Sequence, residues 1–248
     1  MDKENMNSMK KKALAFAAAA CAFGMLLSGC GSSNGDSTAD KGSNVITAYN
    51  SEPQNPLIPG DCNETGGGKP LDLLFARLIS FDAKGNASNE VAESIKSNDD
   101  ATQYTIKLKD GWKFTDGTPL TARDVAFTIN GILNSEASEC DMSMVKEAVA
   151  TDDATVVVHM EKPFNALLYT LAVVGIVPEH AYGDTYGDNP IGSGRYMLEQ
   201  WDKGQQVILK ANPDYYGEAP KIERVVAVFM EEDASLAAAQ SGQVDVAY

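Results

Sequence analysis

The pattern of apolar residues changes twice along the chain, and each change marks a different kind of segment. Ala13 to Leu27 is an unbroken run of apolar and small residues, shorter than the roughly 20 residues of a membrane-spanning helix. Gly31 to Ser43 holds no apolar residue larger than alanine; it cannot bury itself and is expected to be a flexible tether. From Val45 onward, short apolar runs recur with a period of two or near the helical period, punctuated by Gly, Pro, Asn and Asp.

The periods predict a succession of strands and helices. Val45–Tyr49 is β-prone and closes on Asn50, Ser51, Glu52 and Pro53, a turn sequence. Leu71–Leu78 has a helical period, with Pro70 as a first-turn residue. Gln103–Lys109 alternates cleanly as a half-buried strand. Thr121 followed by Asp124 resembles a capping box opening a helix that places Val125, Ile129, Ile132 and Leu133 on one face. Thr155–Met160 reads as a strand, Asn165–Leu171 as a helix and Gly175–Val177 as a short buried strand. Tyr196–Gln200 and Gln206–Lys210 form strands joined by the turn Asp202-Lys203-Gly204. Strand Arg224–Met230, helix Ala234–Gln240 and strand Val244–Ala247 require a crossover, so the class is α/β with a parallel βαβ unit and a mixed sheet.

The N-terminal run reads as an address rather than a structural element. Lys10, Lys11 and Lys12 precede it, and Leu27-Ser28-Gly29-Cys30 follows, a pattern resembling the lipobox of bacterial lipoproteins. On that resemblance residues 1–29 are a signal peptide, Cys30 carries a diacylglycerol anchor, and residues 30–43 tether the fold to an extracytoplasmic membrane surface. A net charge of −15 argues against nucleic acid as a partner. Beyond the signal and the lipidated residue only Cys62 and Cys140 remain; they either form one disulfide or stay as two thiols. The two histidines, His159 and His180, are too far apart in sequence to suggest a metal site, and no nucleophile motif such as Gly-x-Ser-x-Gly is present. Neither a cofactor nor catalysis is expected.

Two longer segments carry a family resemblance. Trp112-Lys113-Phe114-Thr115-Asp116-Gly117-Thr118-Pro119-Leu120-Thr121-Ala122-Arg123-Asp124-Val125 is one; Asn189-Pro190-Ile191-Gly192-Ser193-Gly194-Arg195-Tyr196 with Asn212-Pro213-Asp214-Tyr215-Tyr216-Gly217 is the other. Ile176–His180 and Leu236–Asp245 support them. Together they resemble the extracytoplasmic solute-binding proteins of ABC transporters, in the peptide, oligopeptide and nickel class. The resemblance implies a periplasmic-binding-protein-like fold of the type II, three-subdomain class, with residues 44–248 as the first lobe and the second lobe absent. It also implies capture of a peptide or peptide-like solute, delivery to ABC permease subunits and a monomeric state. Arg195 departs from the family, which usually has proline there.

Within this lobe the expected ligand-facing residues are Tyr49, Asn50, Ser51 and Glu52 after the first strand, and Gly192, Ser193, Gly194, Arg195 and Tyr196 in the glycine loop. Glu52 would either meet a peptide amine or stabilise a turn, and the glycine loop would either approach a ligand or pack tightly. Trp112 and Phe114 are expected in the core. Two alternatives stand beside peptide capture: a carrier of nickel-chelate, haem or another non-peptide solute, and a truncated, non-transporting remnant or surface interaction lipoprotein.

Overall fold

Leu57, Leu74, Val207 and Leu209 are buried in one hydrophobic cluster, and Ile106, Phe114, Val125, Val156 and Val158 in another; the fold is organised around these two cores. The computed structural model describes residues 44–62, 64–82, 84–135, 138 and 140–247. The signal, the tether and Cys30 lie outside the described residues, as do the side chains of Ile132 and Leu133.

The first core lies beneath a mixed sheet in the order β1-β10-β9-β8, where β1 is Val45–Asn50, β8 Tyr196–Asp202, β9 Gln206–Ala211 and β10 Arg224–Phe229. β1 runs parallel to β10, while β10, β9 and β8 are antiparallel neighbours. The expected turn between β8 and β9 is present, with Gly204 at φ +78°, a conformation that favours glycine. The second core is covered by an antiparallel sheet in the order β4-β5-β7-β6, with β4 Ala92–Ser97, β5 Gln103–Leu108, β6 Val145–Asp152 and β7 Thr155–Met160. A small ladder pairs β2, Ile79–Phe81, with β3, Ala87–Asn89.

The helices are α1, Thr65–Leu74; α2, Ala122–Asn134; α3, Leu167–Leu171; and α4, Glu232–Gln240. Half of the expected capping box forms: the Asp124 carboxylate accepts from the Thr121 N–H at 2.8 Å and from its hydroxyl at 2.9 Å. The Asp124 N–H donates to the Thr121 carbonyl at 3.1 Å rather than to that hydroxyl. The carboxylate also accepts from the Glu179 N–H at 3.0 Å, tying the start of α2 to a distant loop.

Three expectations need correction. The helix expected over Leu71–Leu78 starts earlier and ends at Leu74, so Pro70 lies inside α1 rather than in its first turn. Gly175–Val177 makes only a single antiparallel bridge, Gly175 with Arg77, in place of a strand. Val244–Ala247 is likewise reduced to one parallel bridge, Val246 with Ala48. That bridge still completes the crossover, because α4 carries the chain from β10 over to the opposite side of β1.

The segments that carry the family resemblance interlock. The Thr115 N–H donates to the Gly192 carbonyl at 2.8 Å and the Asn212 side-chain amide to the Gly194 carbonyl at 2.9 Å. Trp112 and Phe114 are buried as expected, with Trp112 stacked on Tyr216 at 4.8 Å between centroids and edge-on to Tyr215.

Candidate functional site

α1 is built to lie close to the chain that leaves β1. A methyl group on Gly66 would come within 2.7 Å of the Ser51 and Glu52 carbonyl oxygens, and one on Gly67 within 1.9 Å of the Cys62 sulfur. Gly66 and Gly67 therefore permit a contact that no side chain allows. Pro70 has no N–H to offer the carbonyl one turn back, that of Gly66. Asn50 supplies the missing donor: its side-chain Nδ2 donates to the Gly66 oxygen at 2.8 Å, in a buried position. The two residues, twenty apart in sequence, solve one hydrogen-bonding problem.

Two adjoining concavities open along α1 and share Thr65 and Lys69. The larger, about 640 Å³, is walled by the Pro59–Cys62 loop, by α1, by Cys140 and Asp141, and by Tyr169–Gly175. Its floor is made by Phe75, Arg77 and Gly175. Both signs of charge face it, from Lys69 and Arg77 and from Glu64, Asp72 and Asp141, beside an apolar wall of Leu71, Tyr169 and Val173. Arg77 is ion-paired with Asp72. The Glu90 carboxylate accepts from the Arg77 backbone N–H at 3.2 Å, and its burial pushes its pKa above the ordinary glutamate value, against the pull of Arg77 and Arg195.

The smaller concavity, about 590 Å³, lies at the carboxyl ends of the parallel strands β1 and β10, where ligands of α/β sheets commonly bind. It is lined by Tyr49, Ser51 and Glu52 together with Glu231 and Glu232. Glu52 closes a turn: its Oε1 accepts from the Gly204 N–H at 2.6 Å. Lys69 extends over the Tyr49 ring, 5.7 Å from its centroid.

Of the expected ligand-facing residues, the structure thus gathers Tyr49, Ser51 and Glu52 around one concavity, with Asn50 buried beneath them. The glycine loop lies elsewhere. Gly192, Ser193 and Gly194 are buried against the end of α1, and the Gly194 N–H donates to the Leu74 carbonyl at 2.9 Å. Arg195 reaches over the Tyr215 ring, 5.6 Å from its centroid, and its charge faces Glu90 and Glu218. The Tyr196 hydroxyl donates to the Ile222 carbonyl at 3.0 Å. None of these five lines either concavity.

The sequence reading did not single out the walls of the larger cleft at Pro59–Cys62, Cys140–Asp141 and Tyr169–Gly175. The glycine run before Pro70 was the available signal, since it marks close backbone approach. Cys62 and Cys140 line this cleft as two thiols rather than a disulfide, and the Cys62 thiol donates to Glu64 at 3.3 Å. His180 pairs with Asp116 at 2.8 Å and His159 lies on β7, both away from the cleft. Among the described residues, no cluster of three or more His, Cys, Asp or Glu is placed to hold a metal ion, and no helix is long and apolar enough to cross a membrane.

Comparison with known proteins matches residues 86–248 to the family described as bacterial extracellular solute-binding proteins, family 5. The chain is 35% identical over 194 residues to the probable D,D-dipeptide-binding periplasmic protein DdpA of Escherichia coli, covering 70% of this chain and 37% of that protein. It is 29% identical over 261 residues to the oligopeptide-binding protein AppA of Bacillus subtilis, covering 95% of this chain and 48% of that one. In structure it resembles AppA in complex with a nonapeptide, at a TM-score of 0.70 over 81% of this chain and 42% of the other. It also resembles NikZ of Campylobacter jejuni in complex with Ni(L-His), at 25% identity and a TM-score of 0.71, over 82% and 42% of the two chains. The chain spans less than half the length of these relatives.

Proposed function

The chain belongs to family 5 of the bacterial extracellular solute-binding proteins, and from that premise we propose that it is the substrate-binding part of an ABC importer that captures peptides or peptide-like solutes outside the membrane. The observation that carries this reading is the larger cleft. Its volume of about 640 Å³ lies within the roughly 300–1,000 Å³ of small-molecule sites. Its paired charges suit a solute with an amine at one end and a carboxylate at the other, and its apolar wall suits a side chain. The function is binding, with no bond made or broken, and delivery is to the permease subunits of the importer. The names of the relatives, a dipeptide-binding and an oligopeptide-binding protein, support the class of solute.

Attachment to the membrane through a lipid on Cys30 is part of the proposal. Replacing Cys30 by serine is expected to move the protein from the membrane fraction to the soluble one, and an unchanged distribution would exclude the anchor.

The likeness to the nickel-histidine-binding NikZ favours one second reading, a carrier of a metal chelate. With both histidines away from the cleft, the metal would arrive already chelated. Thermal unfolding with a di- to hexapeptide library and, separately, with nickel-histidine distinguishes the two readings. A ligand of the native state raises the midpoint in proportion to the logarithm of its excess over Kd. A rise with peptides supports the first reading and a rise only with the chelate supports the second. No rise with either, up to millimolar ligand, contradicts both.

A further inference from the structure

The rim of the larger cleft carries an aromatic surface that the fold itself does not use. Leu167 and Leu171, one helical turn apart on α3, are both 1% exposed. Their burial turns Tyr169 outward, at 68% exposure, where its ring stacks flat on Phe81 of β2, 5.6 Å between centroids and 8° between planes. Val173, 56% exposed, continues the surface into the cleft. Large exposed apolar surface gathered in one place marks a recognition site more often than scattered single residues do, and a stacked ring pair offers a flat, preorganised face.

This face is continuous with the charged part of the same cleft, where Lys69 and Arg77 stand with Glu64 and Asp72. We infer that the Tyr169–Phe81 ledge is the cleft's side-chain subsite, and that it selects zwitterionic peptides bearing an aromatic side chain over those bearing a small one. The charged residues hold the peptide's ends while the ledge receives the ring. This inference rests on the reading of the cleft as the solute site.

The test compares Gly-Phe-Gly with Gly-Ala-Gly, two peptides of equal length and charge, by ligand-observed NMR titration, which registers millimolar binding. The phenylalanine peptide is expected to bind about tenfold tighter, the scale of one aromatic contact plus its buried area. In Tyr169→Ala that ratio should fall toward one. Val173→Ser should reduce it less, while thermal stability stays near wild type because both side chains are exposed. Equal affinities for the two peptides, or a preference that survives in Tyr169→Ala, would overturn the ledge and leave the solute-capture reading standing. Binding of neither peptide would remove that reading and the ledge with it. Concentration-dependent dimerisation that disappears in Tyr169→Ala would assign the surface to a second copy of the chain and overturn the subsite.

Discussion

Replacing Gly192 by alanine separates a packing role from a ligand role for the glycine loop. The added methyl would sit 1.9 Å from the Leu74 carbonyl oxygen and 2.9 Å from the Leu74 carbonyl carbon. Both are backbone atoms and cannot turn aside. The same carbonyl accepts the Gly194 N–H at 2.9 Å, so pushing it away also strains a buried hydrogen bond. Overpacking a well-filled interior costs about 1–3 kcal/mol, and a backbone collision belongs at the top of that range. With a urea slope of roughly 2 kcal/mol/M, a loss of about 3 kcal/mol lowers the unfolding midpoint by ~1.5 M. Gly117→Ala is the control: a methyl there meets nothing within 4 Å, but φ is +87°, so the left-handed conformation alone costs about 1–2 kcal/mol. Urea unfolding followed by tryptophan fluorescence reads both variants. A Gly192→Ala midpoint equal to wild type, combined with lost peptide binding, would refute the argument and return the loop to the ligand.

Asp124→Ala leaves the N–H groups of Thr121 and Glu179 without their acceptor and should destabilise the fold by about 2–3 kcal/mol; a midpoint within error of wild type in urea would contradict the capping role. Burial raises the Glu90 pKa above 4.5, so the folded chain holds that proton more tightly than the unfolded one and stability declines as pH rises from 4.5 through the raised value. Glu90→Gln should flatten that decline in thermal melts, and an unchanged slope would show that Glu90 does not cause it. Hydrogen bonds to Asn86 and Thr47 hold Asp82 and Asp245 below their ordinary value of 3.8, with the opposite sign: their contribution is present above 3.8 and is lost as pH falls through their folded values. Alkylation of the native protein, mapped by mass spectrometry, should label the half-buried Cys140 well before Cys62, which is 0% exposed; equal rates would contradict the packing of Cys62 against α1.

Local pattern was enough to place the elements whose signals lie in a few adjacent residues. The alternation at Gln103–Leu108, the Thr121–Asp124 cap and the Asp202–Gly204 turn are set by neighbours in sequence, and the structure contains all three. α1 was misplaced because its beginning is glycine-rich, with low intrinsic helix propensity, and because its proline is tolerated only through Asn50, a residue twenty positions earlier. No window of local sequence contains that compensation. β6 and the β2–β3 ladder were missed because their strands carry exposed polar positions and take their identity from partners in the sheet. The reading of Tyr49, Asn50, Ser51 and Glu52 follows from the polar turn that closes the first strand; Tyr49, Ser51 and Glu52 line one concavity, while Asn50 is buried. Placing the larger cleft needed the approach of three segments far apart in sequence, which periodicity does not encode.

The location of that cleft follows from how the two cores are joined. In the crossing segment, Phe75 belongs to the core under the mixed sheet, while Ala76 and Leu78 belong to the other. The opposing segment does the reverse, with Val174 and Ile176 in the antiparallel-sheet core and Val177 in the mixed-sheet core. The two segments meet at the Arg77–Gly175 bridge, reinforced by the Ile176 N–H donating to the Ala76 carbonyl at 3.0 Å. A methyl on Gly175 would come within 2.6 Å of the Phe75 Cβ, so the crossing is already at contact distance. The other side chains of both segments are committed to one core or the other, and the positions left between them, Arg77 and Gly175, form the cleft floor with the core residue Phe75. The floor is therefore held by the same packing that holds the cores together, and it offers a solute the Arg77 side chain beside the ring of Phe75. Specificity can then vary at the walls, Pro59–Cys62, Cys140–Asp141 and Tyr169–Val173, without disturbing the join on which the fold depends.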